Sequence, residues 1–290
     1  MKDDIGKHAA EGLERLCGEE ERVQMLRSPA LPGIEFLQAR FFGNVFEPHR
    51  HDTYAIGLTM GGVQRFSYRG EERRSLPGQI LVLHPDEKHD GGAGTDSGLY
   101  YRMLYIEPSL LARSLMPRGV TMPFVGAPVF DDERLRRSLE GAFERFDAGL
   151  GTLMADDLVA EVTEGLLRHA GEKPAAGGAV PQRQADIARD FIDGNFERNI
   201  HSAELEALTG TDRFLLSRAF RASFGTSPHR YLLMRRLRQS RQLIEDGMPL
   251  AEIAAAMGFA DQSHLTRHFK KAYGLTPGRW SLLVRGIGAP

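Results

Sequence analysis

Two kinds of hydrophobic pattern follow one another along the chain. Between residues 33 and 107, short runs with apolar residues at alternating or successive positions are separated by clusters of Gly, Pro and charged residues. The runs are FLQARFFGNVF, YAIGLTM, VQRFSYRG, GQILVLH and YYRMLYI, and the clusters RGEERRSLPG and HDGGAGTDSG between them predict turns. Runs of this kind predict strands, and short strands at this spacing predict a barrel or sandwich.

A helical period replaces the strand pattern after residue 130. Residues spaced three or four apart share one face in two segments, namely Leu135, Leu139, Phe143 and Phe146, and then Leu158, Val162 and Leu166. The segment EKPAAGGAVPQRQ that follows is rich in Gly, Pro and Ala and predicts a flexible linker. Every segment after it has helical periodicity.

These changes of pattern predict a multidomain α+β protein, with an N-terminal β-barrel plus helices and a C-terminal all-α domain. The predicted parts are an N-terminal segment (1–30), a barrel (31–125), a helical segment (126–171), the linker (172–184) and an all-helical domain (185–285).

The all-helical domain contains the same unit twice. LSRAFRASFGTSP (216–228) and LTRHFKKAYGLTP (265–277) align without a gap, and a short apolar helix precedes each copy. Gly210 and Gly258 end these short helices, where a sharp turn favours a positive φ. A short helix, a turn at Gly and a second helix predict a helix-turn-helix unit, here present in two copies.

The second helix of each unit has a polar face opposite its apolar stripe. Polar side chains on such a face can contact the phosphates of DNA and the edges of its bases. Gln can form two hydrogen bonds with adenine, and Arg can do so with guanine. The predicted DNA-binding residues are Arg213, Phe214, Ser217, Arg218 and Arg221 in the first unit and Gln262, Ser263, His264, Arg267 and Lys271 in the second. Two alternatives stay open: Phe214 contacts a thymine methyl or packs, and the equivalent Arg218 and Arg267 contact phosphate or share a structural role.

Charge is distributed unevenly along the chain. The formal net charge is −2, yet residues 213–290 hold 13 Lys or Arg against 4 Asp or Glu. This basic segment predicts an anionic partner, for which nucleic acid is the commonest candidate. The single cysteine, Cys17, excludes an internal disulfide and a cysteine-based zinc site. It lies in a polar segment without a ligand cluster, which argues against a DNA-repair alkyl acceptor.

The repeated unit carries a family resemblance. DQSHLTRHFKKAYGLTPGRW and LSRAFRASFGTSPHRYLLMRRL resemble the DNA-binding domain of the AraC/XylS family of bacterial transcription regulators, over residues 186–282. The resemblance implies that the two units dock in successive major grooves on one face of DNA, about 34 Å apart. It also implies a partner of double-stranded promoter DNA, and RNA polymerase if the protein is an activator.

The front half resembles a cupin barrel, which this family commonly places before the DNA-binding domain as an effector sensor. EPHRHDTYAIGLTMGG and PGQILVLHPDEKHD match the two cupin motifs and contribute His49, His51 and His89. Three histidines on neighbouring strands are able to ligate Zn²⁺, Fe²⁺ or Mn²⁺. The carboxylate that metal-binding cupins add is missing, since Asp52 directly follows His51 and is expected to point to the opposite face. The alternative is that these histidines are hydrogen-bonding pocket residues, and no cofactor is then expected.

Three further residues join the histidines as candidates for effector binding: Arg40, Tyr54 and Arg102. Arg102 alternates with apolar neighbours in YYRMLYI, so it faces the lumen and pairs with an anionic effector, or it lies on the outer face. The helices at 131–170 resemble the family's dimerisation element, and the alternative is that they cover the barrel. A homodimer is expected.

The function predicted from these features is a sequence-specific, DNA-binding transcriptional regulator controlled by a small-molecule effector in the barrel. It performs no catalysis in this interpretation. The alternative is a metal-dependent cupin enzyme fused to a DNA-binding tail. The N-terminal MKDDIGKHAAEGLERL is polar and no apolar run approaches a membrane span of about 18 residues, which predicts a cytoplasmic location without a secretory signal or membrane partner.

Overall fold

The computed structural model describes residues 22–27, 32–115, 120, 122–146, 151–171 and 182–285. Cys17, most of the predicted N-terminal segment and positions 172–181 of the predicted linker lie outside these described residues. Within them, no helix is long and apolar enough to cross a membrane.

The N-terminal domain consists of two antiparallel sheets in the described part of the chain. One sheet has the order β1-β2-β9-β4-β7-β10 and the other the order β3-β8-β5-β6. The strands are β1 (Arg22–Arg27), β2 (Ile34–Phe41), β3 (Asn44–His49), β4 (Tyr54–Gly62), β5 (Gln64–Tyr68), β6 (Glu71–Ser75), β7 (Ile80–Leu83), β8 (His89–Ala93), β9 (Leu99–Ile106) and β10 (Val129–Phe130).

The predicted barrel is therefore a pair of facing sheets rather than one closed ring. The chain leaves the first sheet at the end of β4 through Gly62, whose φ is +74° and whose added Cβ would lie 2.0 Å from the carbonyl oxygen of Gly98. Only glycine fits this corner. The prediction of turns at RGEERRSLPG and HDGGAGTDSG is wrong in part, because β6 and β8 lie within them. The first sheet also extends upstream of residue 31 through β1, which pairs with β2.

Alternation along the strands of the first sheet separates two apolar cores. On β9, Tyr101 and Met103 point toward the second sheet, whereas Leu104 and Ile106 point outward. Three helices cover this outer face: α1 (Pro108–Leu115), α2 (Glu133–Phe146) and α3 (Thr152–His169).

The apolar stripes of α2 and α3 are buried inside one chain. The stripe residues packed against the outer face of the sheet are Leu135, Leu139, Phe143, Leu158, Val162 and Leu166. The stripe residues therefore cover the sheet, as the alternative interpretation of these helices has it, and the dimerisation role of the segment stays a prediction. The side chain of Phe146 lies outside the described residues.

Seven helices of the described chain form the C-terminal domain. They are α4 (Gln182–Asn195), α5 (Ser202–Thr209), α6 (Arg213–Phe224), α7 (Pro228–Glu245), α8 (Leu250–Ala256), α9 (Gln262–Tyr273) and α10 (Pro277–Arg285). The first unit packs around Phe220 of α6 and the second around Phe269 of α9. Helix α7 contributes Leu232 to the first core and Leu237 to the second, so it holds the two units together.

The second helices of the two units, α6 and α9, are called the reading helices below. Local capping explains why both begin and end where they do. The Asp212 side chain accepts hydrogen bonds from Phe214 N and Leu215 N, and the Asp261 side chain accepts one from His264 N. Each carboxylate satisfies backbone donors that the first turn of a helix leaves unpaired. Gly225 and Gly274 end the two helices in the left-handed conformation.

Candidate DNA-reading face and effector cavity

The polar faces of α6 and α9 lie at the surface. Of the predicted DNA-binding residues, eight are exposed: Arg213, Phe214, Arg218, Arg221, Gln262, Ser263, Arg267 and Lys271. Ser217 and His264 are half-buried. Each helix thus presents exposed donors on the side opposite its apolar stripe, in the arrangement that a groove of DNA requires.

Phe214 stands at the start of the first reading helix without being part of a core. Its side chain is 71% exposed, and the guanidinium of Arg213 lies 5.2 Å from its ring centroid. The alternative that Phe214 packs in an apolar core is therefore wrong. Arg218 and Arg267 are likewise exposed, which leaves them available to phosphate.

The second reading helix has a more constrained set of polar side chains. The backbone N of Ala260 donates to His264 Nδ1 at 3.2 Å, so the His264 ring helps to hold the turn. Burial, then the neighbouring His264, lowers the pKa of His268 to about 4, so this side chain is neutral near pH 7. Lys270 pairs with Glu47 of β3 at 2.8 Å. Lys270 and His268 are therefore poor candidates for phosphate contacts, although both lie on the polar stretch of the sequence motif.

Arg236 fixes the relation between the two units. This buried guanidinium donates Nε to the carbonyl of Phe196 (2.7 Å), Nη1 to that of Gly258 (2.8 Å) and Nη2 to that of Arg198 (2.9 Å). Two of these carbonyls belong to the segment before α5 and the third to the turn before α9. The Arg236 side chain thereby connects the turn of the second helix-turn-helix unit to the segment that precedes α5 of the first unit.

A cavity lies between the facing sheets, where the C-terminal domain closes it. Its volume is about 70 Å³, below the ~300–1,000 Å³ typical of sites for drug-sized ligands. The sheets contribute apolar wall residues such as Leu37 and Met103. Tyr273 of α9 and Trp280 of α10 also line it. The cavity is therefore built by both domains.

The three predicted histidines meet in this cavity. His89 packs edge to face on His49 and His51, with ring centroids 4.3 and 4.6 Å apart. The Nδ1 atoms of the three rings lie 2.8 to 2.9 Å from the backbone carbonyls of residues 47, 53 and 87. Because a carbonyl only accepts, each Nδ1 carries the proton and each Nε2 presents a lone pair.

Burial keeps these three rings neutral. It lowers the pKa of His49 to about 4, against a smaller opposing effect of the hydrogen bond to Glu47. Burial and the adjacent His49 lower the pKa of His51 to about 3, and the same causes hold that of His89 well below 6.5. In the described residues, no group of three or more His, Cys, Asp or Glu side chains has the geometry to hold a metal ion. The three histidines line the cavity as neutral hydrogen-bonding groups.

The other three candidates for effector binding lie outside the cavity, for one shared reason. Tyr54 and Arg102 occupy strand positions that point outward, because side chains alternate between the two faces of a sheet. The Tyr54 hydroxyl donates to the carbonyl of Pro123 at 3.1 Å, and Arg102 donates to Gln38 Oε1 at 3.0 Å. Arg40 is exposed and lies over the ring of Phe42. The expectation that these side chains face an effector is corrected accordingly.

Two arginines of α7 close the cavity from the side of the C-terminal domain. Arg238 pairs with Asp52 at 2.9 Å and with Glu107, and Arg241 pairs with Glu35. Arg241 also lies over the rings of Tyr273 and Trp280, 5.1 Å from each centroid. Each of these buried guanidinium groups is paired with a carboxylate across the interface between the domains. Without such a partner, a buried charge would be strongly unfavourable.

Further contacts extend the same interface on both sides of the cavity. Arg230, at the start of α7, donates to the carbonyl of Arg50 at 2.7 Å and pairs with Asp86. The backbone N of Arg50 in turn donates to the carbonyl of Lys271 at 3.0 Å. Helix α1 lies against the first reading helix, α6. Both helix-turn-helix units therefore contact the N-terminal domain.

The residues by which α7 contacts the N-terminal domain were not predicted from the sequence. Arg238 and Arg241 lie three residues apart on α7, which places them on one face of the helix. The spacing indicates a second, charged face of α7 that contacts another part of the protein. Gln64 and Trp280 also line the cavity, but no pattern in the sequence predicts it.

The chain matches two family models. Residues 31–162 match the AraC-like ligand binding domain and residues 205–282 match a helix-turn-helix domain. An uncharacterized HTH-type transcriptional regulator of Bacillus subtilis, YbfI, is 26% identical over 81% of this chain and 87% of its own length. The arabinose operon regulatory protein of Salmonella typhimurium is 26% identical over 87% of this chain and 96% of its own length.

Solved structures show the same fold. ToxT from Vibrio cholerae, bound to (E)-4-(8-methylnaphthalen-1-yl)but-3-enoic acid, aligns with a TM-score of 0.62 at 12% identity, covering 90% of this chain and 99% of that one. An unsaturated fatty acid-bound form of ToxT aligns with a TM-score of 0.60 at 15% identity, covering 92% and 97%.

A ligand-binding β domain joined to two helix-turn-helix units defines a DNA-binding transcriptional regulator with its own sensor domain. The chain belongs to the AraC family of transcriptional regulators.

Proposed function

We propose that a small molecule in the cavity controls DNA binding by changing how the C-terminal domain rests on the sensor. The observation that carries this proposal is that Arg238, Arg241, Tyr273 and Trp280 of the C-terminal domain line a cavity of the ligand-binding domain. A ligand there contacts both domains at once. It therefore has a different affinity for the docked and undocked arrangements, which is what coupling requires.

The residues proposed to read DNA are those exposed near the beginnings of the two reading helices. Gln262 and Arg213 lie in the first turns, which support base contacts, and Arg221 and Lys271 lie in the last turns, which support phosphate contacts. Phe214 is proposed to contact a thymine methyl, because its exposed ring has no core to pack in.

The remaining parts of the proposal concern organisation and partners. We propose a sensor barrel at 31–125 with β1 added upstream, covering helices at 126–171, a linker at 172–184 and a DNA-binding domain at 185–285. We further propose that the protein is not an enzyme, that it acts in the cytoplasm on promoter DNA as a homodimer, and that it contacts RNA polymerase if it activates transcription. Its relatives are transcriptional regulators, which supports a non-enzymatic role in transcription.

Selection of duplexes from a random library by the intact protein, followed by binding measurements with pooled metabolites, tests the function. We expect one sequence to be enriched and at least one pool to change its Kd. Failure to enrich any sequence, or Kd values that no pool changes, contradicts the proposal.

A further inference from the structure

The end of strand β3 in the N-terminal domain lies against the second reading helix, α9. Building on the DNA binding by the reading helices proposed above, we propose that Arg50, which directly follows β3, contacts a phosphate of the bound duplex beside Lys271. The N-terminal domain then forms part of the DNA-binding surface. The place of β3 on α9, the hydrogen bonds that hold residue 50 and the charges around it support this role.

Strand β3 contacts α9 at the far end of the stripe of residues that is proposed to face DNA. Arg267, Lys270 and the capping Gly274 are three or four residues apart, so they lie on one side of the helix. Lys270 pairs with Glu47 at 2.8 Å, and a Cβ added at Gly274 would lie 3.0 Å from His49 Nδ1. The first turn of a recognition helix contacts base edges and its later turns contact the DNA backbone. The end of β3 therefore lies beside the part of α9 that approaches phosphates.

Two main-chain hydrogen bonds hold residue 50 in this place. Arg50 N donates to the carbonyl of Lys271 at 3.0 Å, and Arg230 Nη2 donates to the carbonyl of Arg50 at 2.7 Å. One partner belongs to the reading helix and the other to α7, so the C-terminal domain itself positions Arg50. Because both bonds use main-chain atoms of residue 50, its side chain stays exposed.

The guanidinium of Arg50 is not neutralised by the protein. It forms neither a hydrogen bond nor an ion pair within the part of the chain that the structure describes, and the same is true of the exposed ammonium group of Lys271. The carboxylates nearby have other partners: Glu47 pairs with Lys270, Asp86 with Arg230 and Glu87 with Arg69, and Asp90 accepts a hydrogen bond from Ser67 N.

Neighbouring cations on α9 and α7 give this region a positive potential. After burial and His264, the charges of Lys271, Arg230 and Arg267 each lower the pKa of His268, so these cations lie close together around it. Like charges repel one another, and a phosphate relieves that repulsion with the release of counterions from DNA. Arg50 extends this cationic region onto the N-terminal domain.

A contact by Arg50 also gives the coupling between the domains a direction. Arg50 reaches the duplex only while the N-terminal domain is docked on the C-terminal domain. Docking then adds one phosphate contact, and by linkage bound DNA favours the docked arrangement. Phosphate contacts carry no sequence information, so Arg50 raises the affinity for every duplex without changing which sequence is selected.

Salt titration of DNA binding tests the contact. The Kd of the intact protein for its selected duplex and for a scrambled duplex is measured from about 50 to 200 mM salt. For Arg50→Gln we expect both Kd values to rise about three- to tenfold at low salt, and the slope of log K against log salt concentration to fall by about one. The main-chain hydrogen bonds of residue 50 are retained in this variant, and circular dichroism and urea unfolding verify that it is folded.

Arg74→Gln is the matched control. It removes the same charge from an exposed arginine of the same sheet, but β6 is the edge strand opposite to β3. We expect the wild-type Kd and slope for this variant. The comparison is repeated in Glu35→Gln, which breaks the pair with Arg241 and weakens docking. There, Arg50→Gln should change the Kd by a smaller factor than in the wild-type background.

Neutral backbone substitutions identify the phosphate itself. Each phosphate of the selected duplex in turn is replaced by a methylphosphonate, which removes one negative charge. Wild type should lose affinity at a phosphate beside the half-site of the second unit, and Arg50→Gln should be insensitive at that position while it remains sensitive at the others.

Either of two results overturns the inference: Arg50→Gln and Arg74→Gln with the same Kd and salt slope, or a loss of affinity in Arg50→Gln that leaves the methylphosphonate pattern of wild type intact. Both leave the proposed function standing if wild type still selects one sequence and a metabolite still changes its Kd. Wild type that selects no sequence contradicts the proposed function instead, and the scrambled duplex then still measures the Arg50 contact.

Discussion

Breaking the ion pair between Glu35 and Arg241 is expected to release the C-terminal domain from the sensor. Glu35→Gln keeps the shape of the side chain and removes its charge. Arg241 is 4% exposed on its side chain, so its guanidinium is left buried without a counter-charge. Removing one partner of a buried pair costs about 3–5 kcal/mol.

Two features reduce that magnitude. The Glu35 side chain is 19% exposed, and Arg241 keeps its position over the rings of Tyr273 and Trp280. We therefore expect the docked arrangement to lose about 2–3 kcal/mol, which is about 30- to 150-fold in the equilibrium between docked and undocked forms.

Trp280 reports the change, because it is buried at this interface and is the chain's single tryptophan. We expect Glu35→Gln to shift its emission to longer wavelength and to lower the urea midpoint. Glu72→Gln is the matched control, since the Arg65–Glu72 pair lies at the surface and such pairs contribute at most about 1 kcal/mol. If Glu35→Gln and Glu72→Gln have the same emission spectrum and midpoint, the reasoning is refuted.

Three further predictions concern the DNA-binding domain and the cavity histidines. Arg236→Met orphans three carbonyls and should lower the free energy of unfolding by about 3–5 kcal/mol in urea; a loss below about 1 kcal/mol would contradict its bridging role. Unfolded His51 binds a proton below about pH 6.5 whereas the folded residue, with a pKa of about 3, stays neutral. The contribution of His51 to stability should therefore fall by up to about 1.4 kcal/mol per pH unit as the pH drops from 6.5 toward 4. His51→Asn should reduce the slope of stability against pH. In binding titrations, Gln262→Ala should lower the affinity for DNA by about 1–3 kcal/mol at one base position. Lys271→Ala should weaken binding to all sequences and reduce the slope of log K against log salt concentration by about one. An equal loss of affinity on every sequence for Gln262→Ala would exclude its role as a base-contacting residue.

The helix-turn-helix units were predictable because their determinants are local. The apolar stripe with Leu216 and Phe220 repeats at the corresponding positions in the second unit, and short-range caps fix both helix ends. Gly258 sits where the turn requires a positive φ, and it has φ of +69°. These determinants lie within a few residues of the structure they specify, so one sequence is enough to recognise them.

Other parts of the fold depend on contacts distant in the sequence. The strand Glu71–Ser75 reads EERRS, which has no apolar alternation, and it forms because it pairs with β5. The outward position of Arg102 depends on which face of the first sheet is covered by helices. The pairing of Arg238 with Asp52 joins residues 186 positions apart. Neither periodicity nor turn chemistry specifies such a partner.

Reciprocal linkage tests the central claim most directly. Trp280 lines the cavity, so its fluorescence identifies a metabolite that binds there. The Kd of the intact protein for its selected duplex is measured with and without that metabolite, and the Kd for the metabolite is measured with and without the duplex. If the shared cavity couples the two sites, both ratios depart from one by the same factor, about 5- to 150-fold, and Glu35→Gln brings both toward one. Ratios of one, or a coupling that Glu35→Gln leaves unchanged, would show that the cavity does not control DNA binding through this interface.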